Sequence, residues 1–580
     1  MGNISKIKSQ IRLAKEFIIY LAPCKRRLLI IIFFSLCAVI MSMLNPFLLK
    51  YLIDSVLPAK NIRSLLSVLV ISGSAFTLIS AIKNLREYLE LKTRHELLFA
   101  LNSRLFSRMQ SYPYQWFRSK SAGEMVFKLS SDTSQIVYPL TKILPHTLII
   151  FFRISVSFAI IFYFDRMLAV ISILLAPFLY IPHYIFIRIL EKAWLESVIL
   201  SENILNYLQE VFSNILLVKS SGRETDHINE YSRRLKARMS LEIKTRKTDS
   251  LSSFTADILN KLVFGIILGL GLVRIISGRL SPGTLGAIIT YLAMLMNIHR
   301  DIIALYQNTV QGLISCARVS QILNEKPETG TAQEAELKIT KGNIEFKNID
   351  FSYTENKNII KNLNLNIKHG NHVALAGQSG IGKTTLLHLL SGLYEIKSGE
   401  ILIDNIPVKK ASASYSRSQI GYVLQQPLLW NDTIKNNLRY EAPMASDEEI
   451  TAAARAACAD IFINKLPEKY LTHLGGNNGK LSEGEKQKLA IARALVKKPK
   501  ILLLDEAMSS MDSNSEEKVL ENIRRSYSDM TLLTVSHRLS ALKKADYVCF
   551  MIQNDKMVID KPEVITANNR EFRDLFLGQI

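Results

Sequence analysis

The sequence has few charged residues and few of the residues that crosslink chains or bind metals. Charged residues make up only 21% of the 580-residue chain, and its 16 prolines and 25 glycines are an ordinary number. These values exclude a disordered, collagen-like or low-complexity chain. The five cysteines are scattered, with no Cys-x-x-Cys or histidine-flanked spacing. We therefore expect neither a disulfide framework nor a structural zinc site.

Charge is missing altogether from four long stretches before residue 330. They lie between Arg27 and Lys50, Arg63 and Lys83, Arg166 and Arg188, and Arg279 and Arg300. Each is about the 20 residues that cross a bilayer core, a length that helices buried in a large soluble protein rarely repeat. Two further apolar segments carry isolated charges. We predict six membrane-spanning helices, at about residues 28–49, 64–82, 143–164, 167–187, 258–277 and 282–302.

The basic residues between these segments predict which side of the membrane each loop occupies. Ten Lys and Arg lie from Lys83 to Lys142 and eleven from Arg188 to Lys247, whereas the alternate loops and their edges hold only six. Because short cytoplasmic loops carry the excess of Lys and Arg, we expect a cytoplasmic N-terminus in a bacterial inner or plasma membrane. Much of the net charge of +21 is then a topology signal, and no nucleic-acid partner is expected.

The chain divides near residue 330, where long apolar runs give way to short apolar strands between charged helical stretches. We predict a cytoplasmic segment at 1–27, a transmembrane domain at 28–325, a linker at 326–338 and an ATPase domain at 339–580. The two cytoplasmic loops have helical apolar spacing and are interrupted at Tyr112-Pro113 and at Ser220-Ser221-Gly222. A turn there would let each helical hairpin reach a cytoplasmic partner, although a plain surface turn explains the same residues.

A complete P-loop lies in the second half, between an apolar strand at 373–376 and an apolar helix start at 386–390. Its backbone N–H groups would surround phosphates, Lys383 would reach the β- and γ-phosphates, and the Thr384 hydroxyl would bind Mg²⁺. The predicted ATP-binding residues of this segment are Gly377, Gln378, Ser379, Gly380, Ile381, Gly382, Lys383, Thr384 and Thr385.

Two carboxylates follow a strongly apolar run at residues 501–504. Such a run is typical of a buried parallel strand, and acidic side chains at its end face the ligand edge of the sheet. Asp505 suits the Mg²⁺ shell, and Glu506 is placed to polarise an attacking water. A carboxylate pair of this kind becomes a specific signal only together with the P-loop.

These motifs resemble the ATP-binding cassette transporter family and occur in its order. Residues 481–487, LSEGEKQ, are similar to the family signature LSGGQ, and Ser482 and Gly484 match the small residues that approach a γ-phosphate. Glu483 replaces the first signature Gly and Glu485 replaces the signature Gln, and the resemblance predicts that Ser482, Gly484 and Glu485 bind ATP. Gly476 falls where exporters commonly carry Glu. The resemblance assigns further roles to Gln425 (Q-loop, Mg²⁺), residues 509–512 (D-loop), His537 (switch histidine) and Tyr353 (adenine stacking). Taken singly, Gln425 could be a surface turn residue, His537 a loop histidine and Tyr353 a half-buried strand aromatic.

The resemblance extends loosely into the first half, through residues 117–124 with Asp132 and residues 218–224. It implies an exporter-type fold: a six-span helical membrane domain followed by one α/β P-loop ATPase domain. It also implies that two chains pair head to tail, with the signature of each chain covering the P-loop of the other. A homodimer and a heterodimeric exporter both fit, and an ATP-gated channel or regulator on the same fold remains an alternative. Soluble DNA-repair ATPases lack the spans, and importers lack a fused membrane domain.

The cargo is not identified by these motifs. Arg153 is costly inside a span unless it faces a water-filled cavity, where it would suit an anionic cargo, or pairs with a polar neighbour. An amphipathic peptide, lipid or drug fits the aromatic residues of the third span. Candidate cavity residues are Arg153, His146, His183, Asn297 and His299.

Overall fold

The computed structural model describes residues 17, 19–328, 339–353, 358–408, 417–475, 481–553 and 556–576. Within the helices it does not describe the side chains at 179, 180, 182–184, 187, 188, 191, 194, 195, 297, 299 and 300. Most of the predicted linker therefore lies outside the described residues, as does most of the predicted N-terminal segment. The chain forms two compact units: residues 1–112 with 118–326, and residues 113–117 with 327–580.

The first unit is helical. Its α-helices are α1 (Lys25–Tyr51), α2 (Ile62–Gln110), α4 (Ala122–Phe127), α5 (Thr133–Phe164), α6 (Arg166–Ser213), α7 (Ile215–Ser220), α8 (Glu224–Ile276) and α9 (Pro282–Leu323). Helix α3 (Tyr114–Arg118) begins in the short segment that groups with the second unit. Six of these helices are long, and the two predicted interruptions are confirmed, because the helices end at Gln110 and Ser220.

The long helices carry large apolar side chains on their outer surface. In a water-soluble protein such side chains would be packed against other elements. Among the described residues, five helical segments are long and apolar enough to cross a membrane, and a shorter apolar stretch runs from Arg166 to Phe178 in α6. In α2 the side chains of Leu66, Val70 and Phe76 are more than half exposed. Large exposed apolar faces at spanning length are typical of helices in lipid.

Local sequence signals define where these helices begin. The Asn61 side chain accepts hydrogen bonds from Arg63 N and Ser64 N at the start of α2, and Asp165 accepts one from Leu168 N at the start of α6. Ser281 caps α9, where Pro282 occupies the first turn. These residues satisfy N–H groups that have no partner inside the helix. Helix α6 packs along α8, and α5 packs along α9.

The described residues of the second unit form two sheets. The strands are β1 (Ile344–Ser352), β2 (Asn358–Ile367), β3 (His372–Gly377), β4 (Ser398–Ile403), β5 (Ile406–Pro407), β6 (Ile420–Val423), β7 (Ile501–Asp505), β8 (Thr531–Val535), β9 (Tyr547–Gln553) and β10 (Lys556–Asp560). An antiparallel sheet has the order β2-β1-β4-β5, and a second sheet has the order β10-β9-β3-β8-β7-β6. In the second sheet the strands from β9 to β6 are parallel.

Helices surround this second sheet, and its central strands β3, β7 and β8 are buried along their whole length. The helices are α10 (Lys383–Leu390), α11 (Ile434–Arg439), α12 (Asp447–Ala456), α13 (Asp460–Ile463), α14 (Glu483–Val496), α15 (Ser513–Ser526), α16 (Leu539–Lys543), α17 (Pro562–Asn568) and α18 (Arg570–Leu575). Parallel strands covered on both faces have continuous apolar sequences, as here. Their carboxyl ends meet at one edge of the sheet, where ligands of this architecture bind.

Candidate functional site

The P-loop lies between β3 and α10 and holds a buried lysine. Gly377 and Gly382 have φ angles of 149° and 116°, which residues with a Cβ rarely adopt. Lys383 is 5% exposed, and its Nζ donates to the carbonyl oxygens of Gly377 at 2.7 Å and Gln378 at 2.9 Å. Burial lowers the pKa of Lys383. The loop thus encloses an ammonium group that phosphate oxygens could take over from these carbonyls. Of the other predicted loop residues, Gln378, Ser379 and Gly380 are exposed, Ile381 is half-buried and Thr385 is buried.

A hydroxyl and a carboxylate meet beside this loop. Thr384 Oγ1 donates to Asp505 Oδ1 at 2.9 Å; Thr384 is in the first turn of α10 and Asp505 ends β7. Burial is the main cause that raises the pKa of Asp505 above its ordinary value, and the hydrogen bond from Thr384 opposes it. A cation would relieve this cost. Two hard oxygen ligands at the P-loop fit the preference of Mg²⁺.

Glu506 lies next to this pair and joins two other predicted residues. Gln425 Nε2 donates to Glu506 Oε2 at 2.8 Å, and His537 Nε2 lies 3.1 Å from Glu506 Oε1. The φ angle of Glu506 is 48°, a left-handed conformation that is strained for a residue with a side chain. The structure thus brings together Gln425, Glu506 and His537, which are far apart in sequence, at the ends of neighbouring parallel strands.

Tyr353 is on the same side of the domain, near the end of β1. Its hydroxyl lies 3.0 Å from Thr385 Oγ1. Its ring packs edge-on against Phe351 and Tyr394, with ring centroids 4.9 and 5.1 Å away. These contacts are those of a half-buried strand aromatic.

The signature residues form the start of α14. Ser482 is the N-cap, and Glu485 completes a capping box with it. Gly484 is close to the D-loop, because a Cβ there would lie 3.2 Å from the Ser510 carbonyl oxygen. Gly476, the departure noted before the signature, lies outside the described residues.

Two residues that sequence reasoning did not select hold the D-loop in place. Arg538 donates to the carbonyl oxygens of Met511 at 2.6 Å and Ser509 at 3.0 Å, and to the buried Glu516 at 2.8 Å. From the other side, Gln487 donates to Ser509 Oγ at 3.2 Å and accepts from the amide N–H of Ser510 at 3.1 Å. The only sequence signal was adjacency: Arg538 follows the switch histidine, and Gln487 is the last residue of the stretch 481–487 that resembles the signature.

In the first unit, Arg153 has an acidic neighbour. Its Nη1 lies 3.7 Å from Asp301 Oδ2, which is the pairing with a polar neighbour that the sequence left open. The Nδ1 atom of His146 is buried and has no hydrogen-bond partner among the described residues. The side chains of three other candidate cavity residues, His183, Asn297 and His299, lie outside the described residues.

Comparisons with known proteins agree with this architecture. The family model for the ABC transporter transmembrane region matches residues 28–299, and the ABC transporter family model matches residues 360–509. An ATP-dependent lipid A-core flippase of Syntrophus aciditrophicus is 32% identical over 82% of this chain and 79% of its own length. A Staphylococcus aureus protein provisionally named a multidrug export ATP-binding/permease protein is 30% identical over 94% of this chain and 96% of its own length.

A solved structure extends the likeness to the whole fold. The structure of a bacterial Atm1-family ABC exporter with ATP bound has a TM-score of 0.88 and 25% sequence identity, and the match covers 96% of this chain and all of that one. The membrane region and the ATPase region therefore occur here in one chain, in the order found in exporters. This multi-pass membrane protein belongs to the ABC transporter family, as an exporter-type chain whose ATPase domain couples ATP hydrolysis to transport.

Proposed function

We propose that this chain is one half of an exporter that works as a homodimer with two ATP sites, each shared between subunits. The chain contains one P-loop and one signature. A P-loop holds a nucleotide from one side, whereas hydrolysis needs charge stabilisation and exclusion of water on the other. Ser482 is exposed on the domain surface, which would allow it to cover the P-loop of a second copy. Two-fold pairing of identical chains gives both sites at once.

Within each site, Glu506 polarises the attacking water and His537 supports the γ-phosphate end. The bridge from Gln425 through Glu506 to His537 is the observation that carries this assignment. Gln425 donates to Glu506 through its amide nitrogen, which leaves the amide oxygen for Mg²⁺. In the same reading, Tyr353 stacks on adenine.

Thr384, Asp505 and Gln425 hold Mg²⁺. The bonded Thr384 and Asp505 oxygens at 2.9 Å and the raised pKa of the buried Asp505 carboxyl support this site, since a cation compensates buried negative charge. Bound Mg²⁺ supplies charge neutralisation on the β- and γ-phosphates. Lys383 binds and orients the same phosphates from within the loop.

Transport follows from closure of the two ATPase domains around ATP. We place the N-terminus and residues 339–580 in the cytoplasm, with the membrane domain at 28–325, because the basic residues cluster in alternate loops. Residues 326–338 link the two domains. The membrane is the bacterial inner membrane or a plasma membrane.

The cargo is an amphipathic molecule: a lipid, a peptide or a drug. The relatives are named for a lipid A-core flippase and for multidrug export, and both names fit cargo with an apolar part. Candidate cavity residues are Arg153, His146, His183, Asn297 and His299. Because Arg153 lies beside Asp301, the carboxylate offsets its positive charge.

The Glu506→Gln variant tests the catalytic assignment. The amide keeps the shape of the side chain but cannot take up a proton, so we expect a loss of turnover of roughly 10²–10⁴-fold with ATP binding retained. Glu521→Gln, at an exposed position of α15, is the control and should hydrolyse ATP normally. More than about a tenth of wild-type turnover in Glu506→Gln would remove Glu506 from this role.

A mixed dimer tests the shared site. Ser482→Arg places a bulky cation where the signature meets ATP, and Lys383→Ala disables the P-loop. Mixing the two variants puts both lesions in one shared site and leaves the other intact, so ATP binding should return relative to each variant alone. Binding no better than in either single variant would contradict the shared-site dimer.

A further inference from the structure

The signature helix α14 already holds an anion at its N-terminus, and that anion is its own side chain. Glu485 Oε2 accepts hydrogen bonds from the Ser482 amide N–H at 2.8 Å and from the Ser482 hydroxyl at 2.8 Å. The Glu485 amide N–H in turn donates to Ser482 Oγ at 3.3 Å. This capping box satisfies N–H groups that a phosphate could otherwise bind.

The hydroxyl of Ser482 cannot serve two acceptors. A serine hydroxyl has one hydrogen to donate, and the γ-phosphate oxygens are acceptors. In this arrangement the hydrogen is directed to Glu485, so an approaching phosphate must first break that bond. A glutamine at 485 could still accept from Ser482, but its neutral oxygen would compete with a phosphate less strongly, because bonds to charged acceptors are the stronger ones.

The negative charge of Glu485 also opposes the approach of a phosphate. The neighbouring Glu483 is paired with Lys486 at 2.7 Å. Among the ion pairs of the described residues, none includes Glu485. A carboxylate at the first turn is stabilised by the helix dipole, which means that the positive end of α14 is already used before ATP arrives. The triphosphate would therefore meet a negative charge on the signature face.

We propose that Glu485 is a positioning residue that acts through Ser482 and weakens closure of the signature on the γ-phosphate. This role rests on the proposed shared ATP site and concerns how readily that site closes on ATP. With this carboxylate, the site closes only at a higher ATP concentration than it would with a neutral side chain. Glu485 thus sets the nucleotide concentration at which the transporter turns over.

The test compares Glu485→Gln with the full-length wild-type dimer. Gln keeps an acceptor for the Ser482 amide N–H and removes the charge. We expect the KM for ATP to fall by roughly three- to tenfold, and ATP to bind correspondingly tighter in a Glu506→Gln background. The difference between variant and wild type should shrink as salt rises, because the Debye length falls from about 10 Å at 0.1 M to about 3 Å at 1 M. A purely structural cap would not give this salt dependence.

A matched control lies at the start of α12, which has the same capping box. There the Ser446 amide N–H donates to Glu449 Oε2 at 2.9 Å, and the Glu449 amide N–H donates to Ser446 Oγ at 3.3 Å. Glu449→Gln changes the corresponding backbone bonds away from the signature and also removes an ion pair with Lys498 at 2.7 Å. Its KM for ATP should equal that of the wild type. Glu485→Asp keeps the charge and should keep a KM near the wild-type value.

An unchanged or higher KM in folded Glu485→Gln, or an equal fall in Glu485→Asp, would overturn the proposal. If Glu485→Gln loses its fold, Glu485→Ser removes the charge, keeps a hydroxyl acceptor and gives the same test. Failure of the shared site itself is distinguishable. If the site is not shared, Ser482→Arg would leave turnover intact. If the site is shared but Glu485 has no effect on its closure, Ser482→Arg would still be inactive.

Discussion

Arg538 should be required for turnover although it is not one of the motif residues. Its guanidinium binds two D-loop carbonyls and the buried Glu516, so Arg538→Met removes all three hydrogen bonds at once. The carboxylate bond contributes roughly 1.5 kcal/mol at the low end for charged groups and each carbonyl bond about 1 kcal/mol. We use the low values because a third of the Arg538 side chain is exposed. The loss is then roughly 3.5 kcal/mol in all.

We expect part of this energy to hold His537 and the D-loop in position for hydrolysis. If between half and all of it is needed in the transition state, kcat should fall by roughly 20- to 400-fold, since 1.36 kcal/mol is a factor of ten. ATP binding at the P-loop should change little, because Lys383 contacts neither Arg538 nor the D-loop. Arg538→Lys keeps the charge without the planar fork, so its kcat should lie between those of the wild type and Arg538→Met.

The assay is steady-state ATPase activity of the purified transporter, with nucleotide binding and the melting temperature measured in parallel. Arg524→Met is the matched control. Arg524 donates to the Lys544 carbonyl oxygen at 3.0 Å and to Asp546 at 2.8 Å, near the start of β3 rather than at the nucleotide edge. The control should lose stability without a comparable loss of kcat. A kcat of Arg538→Met within twofold of wild type would refute the positioning role.

Three further outcomes follow from the structure. Asp404 accepts four backbone N–H bonds, which lower its pKa to about 2; its stabilisation is present above the unfolded pKa of about 3.9 and is lost as the pH falls toward 2. Asp404→Asn should therefore lower the free energy of unfolding at neutral pH by roughly 1–2 kcal/mol, which lowers the melting temperature. The melting temperature of the variant should also fall less steeply as the pH is lowered. Gly283→Ala should disrupt the membrane domain in a detergent melting assay, because its Cβ would lie 2.7 Å from a backbone carbonyl oxygen, whereas Gly286→Ala meets nothing closer than 3.5 Å and should be tolerated. Arg153→Leu and Asp301→Asn should alter substrate-stimulated ATPase to a similar degree and less than additively together, because the two side chains are within ion-pair distance; additive effects would contradict the pairing.

The sequence predicted those parts of the molecule that depend on short stretches of chain. The P-loop, the apolar strand before Asp505 and the charge-free helices are all recognisable within about 20 residues, because local backbone geometry and burial determine them. The interruptions near Pro113 and Gly222 were also predictable from local turn residues. The capping box at Ser482 was visible as a Ser-x-x-Glu pattern, although its meaning depends on where the helix starts.

Contacts between distant segments were not predictable in this way. Arg153 and Asp301 are 148 positions apart in the numbering, and nothing in the sequence near either residue specifies the other. Arg538 likewise reaches the D-loop only because β7 and β8 are neighbours in the sheet. Such pairs are set by strand order and helix packing, which one sequence does not determine.

The position of Asp505 and Glu506 explains how motion of the domain could reach the proposed ATP site. Alternate residues of a strand face opposite sides of a sheet, and in β7 the side chains of Ile501 and Leu503 belong to one apolar core while Leu502 and Leu504 belong to another. The first core also contains Leu386 behind the P-loop, and the second contains Leu489 of the signature helix.

Asp505 and Glu506 therefore follow a strand that is shared by the P-loop core and the signature core. The D-loop comes next in the chain, and it is bonded to Gln487 on the signature helix and to Arg538 beside the switch histidine. Packed cores move as units, because their side chains have few low-energy alternatives. A displacement of the signature core relative to the P-loop core would thus act first on the strand end and the D-loop, where Glu506 is held in a strained backbone conformation. This arrangement gives a physical reason why, in the proposed shared site, closure of the signature on ATP and alignment of Glu506 should occur together.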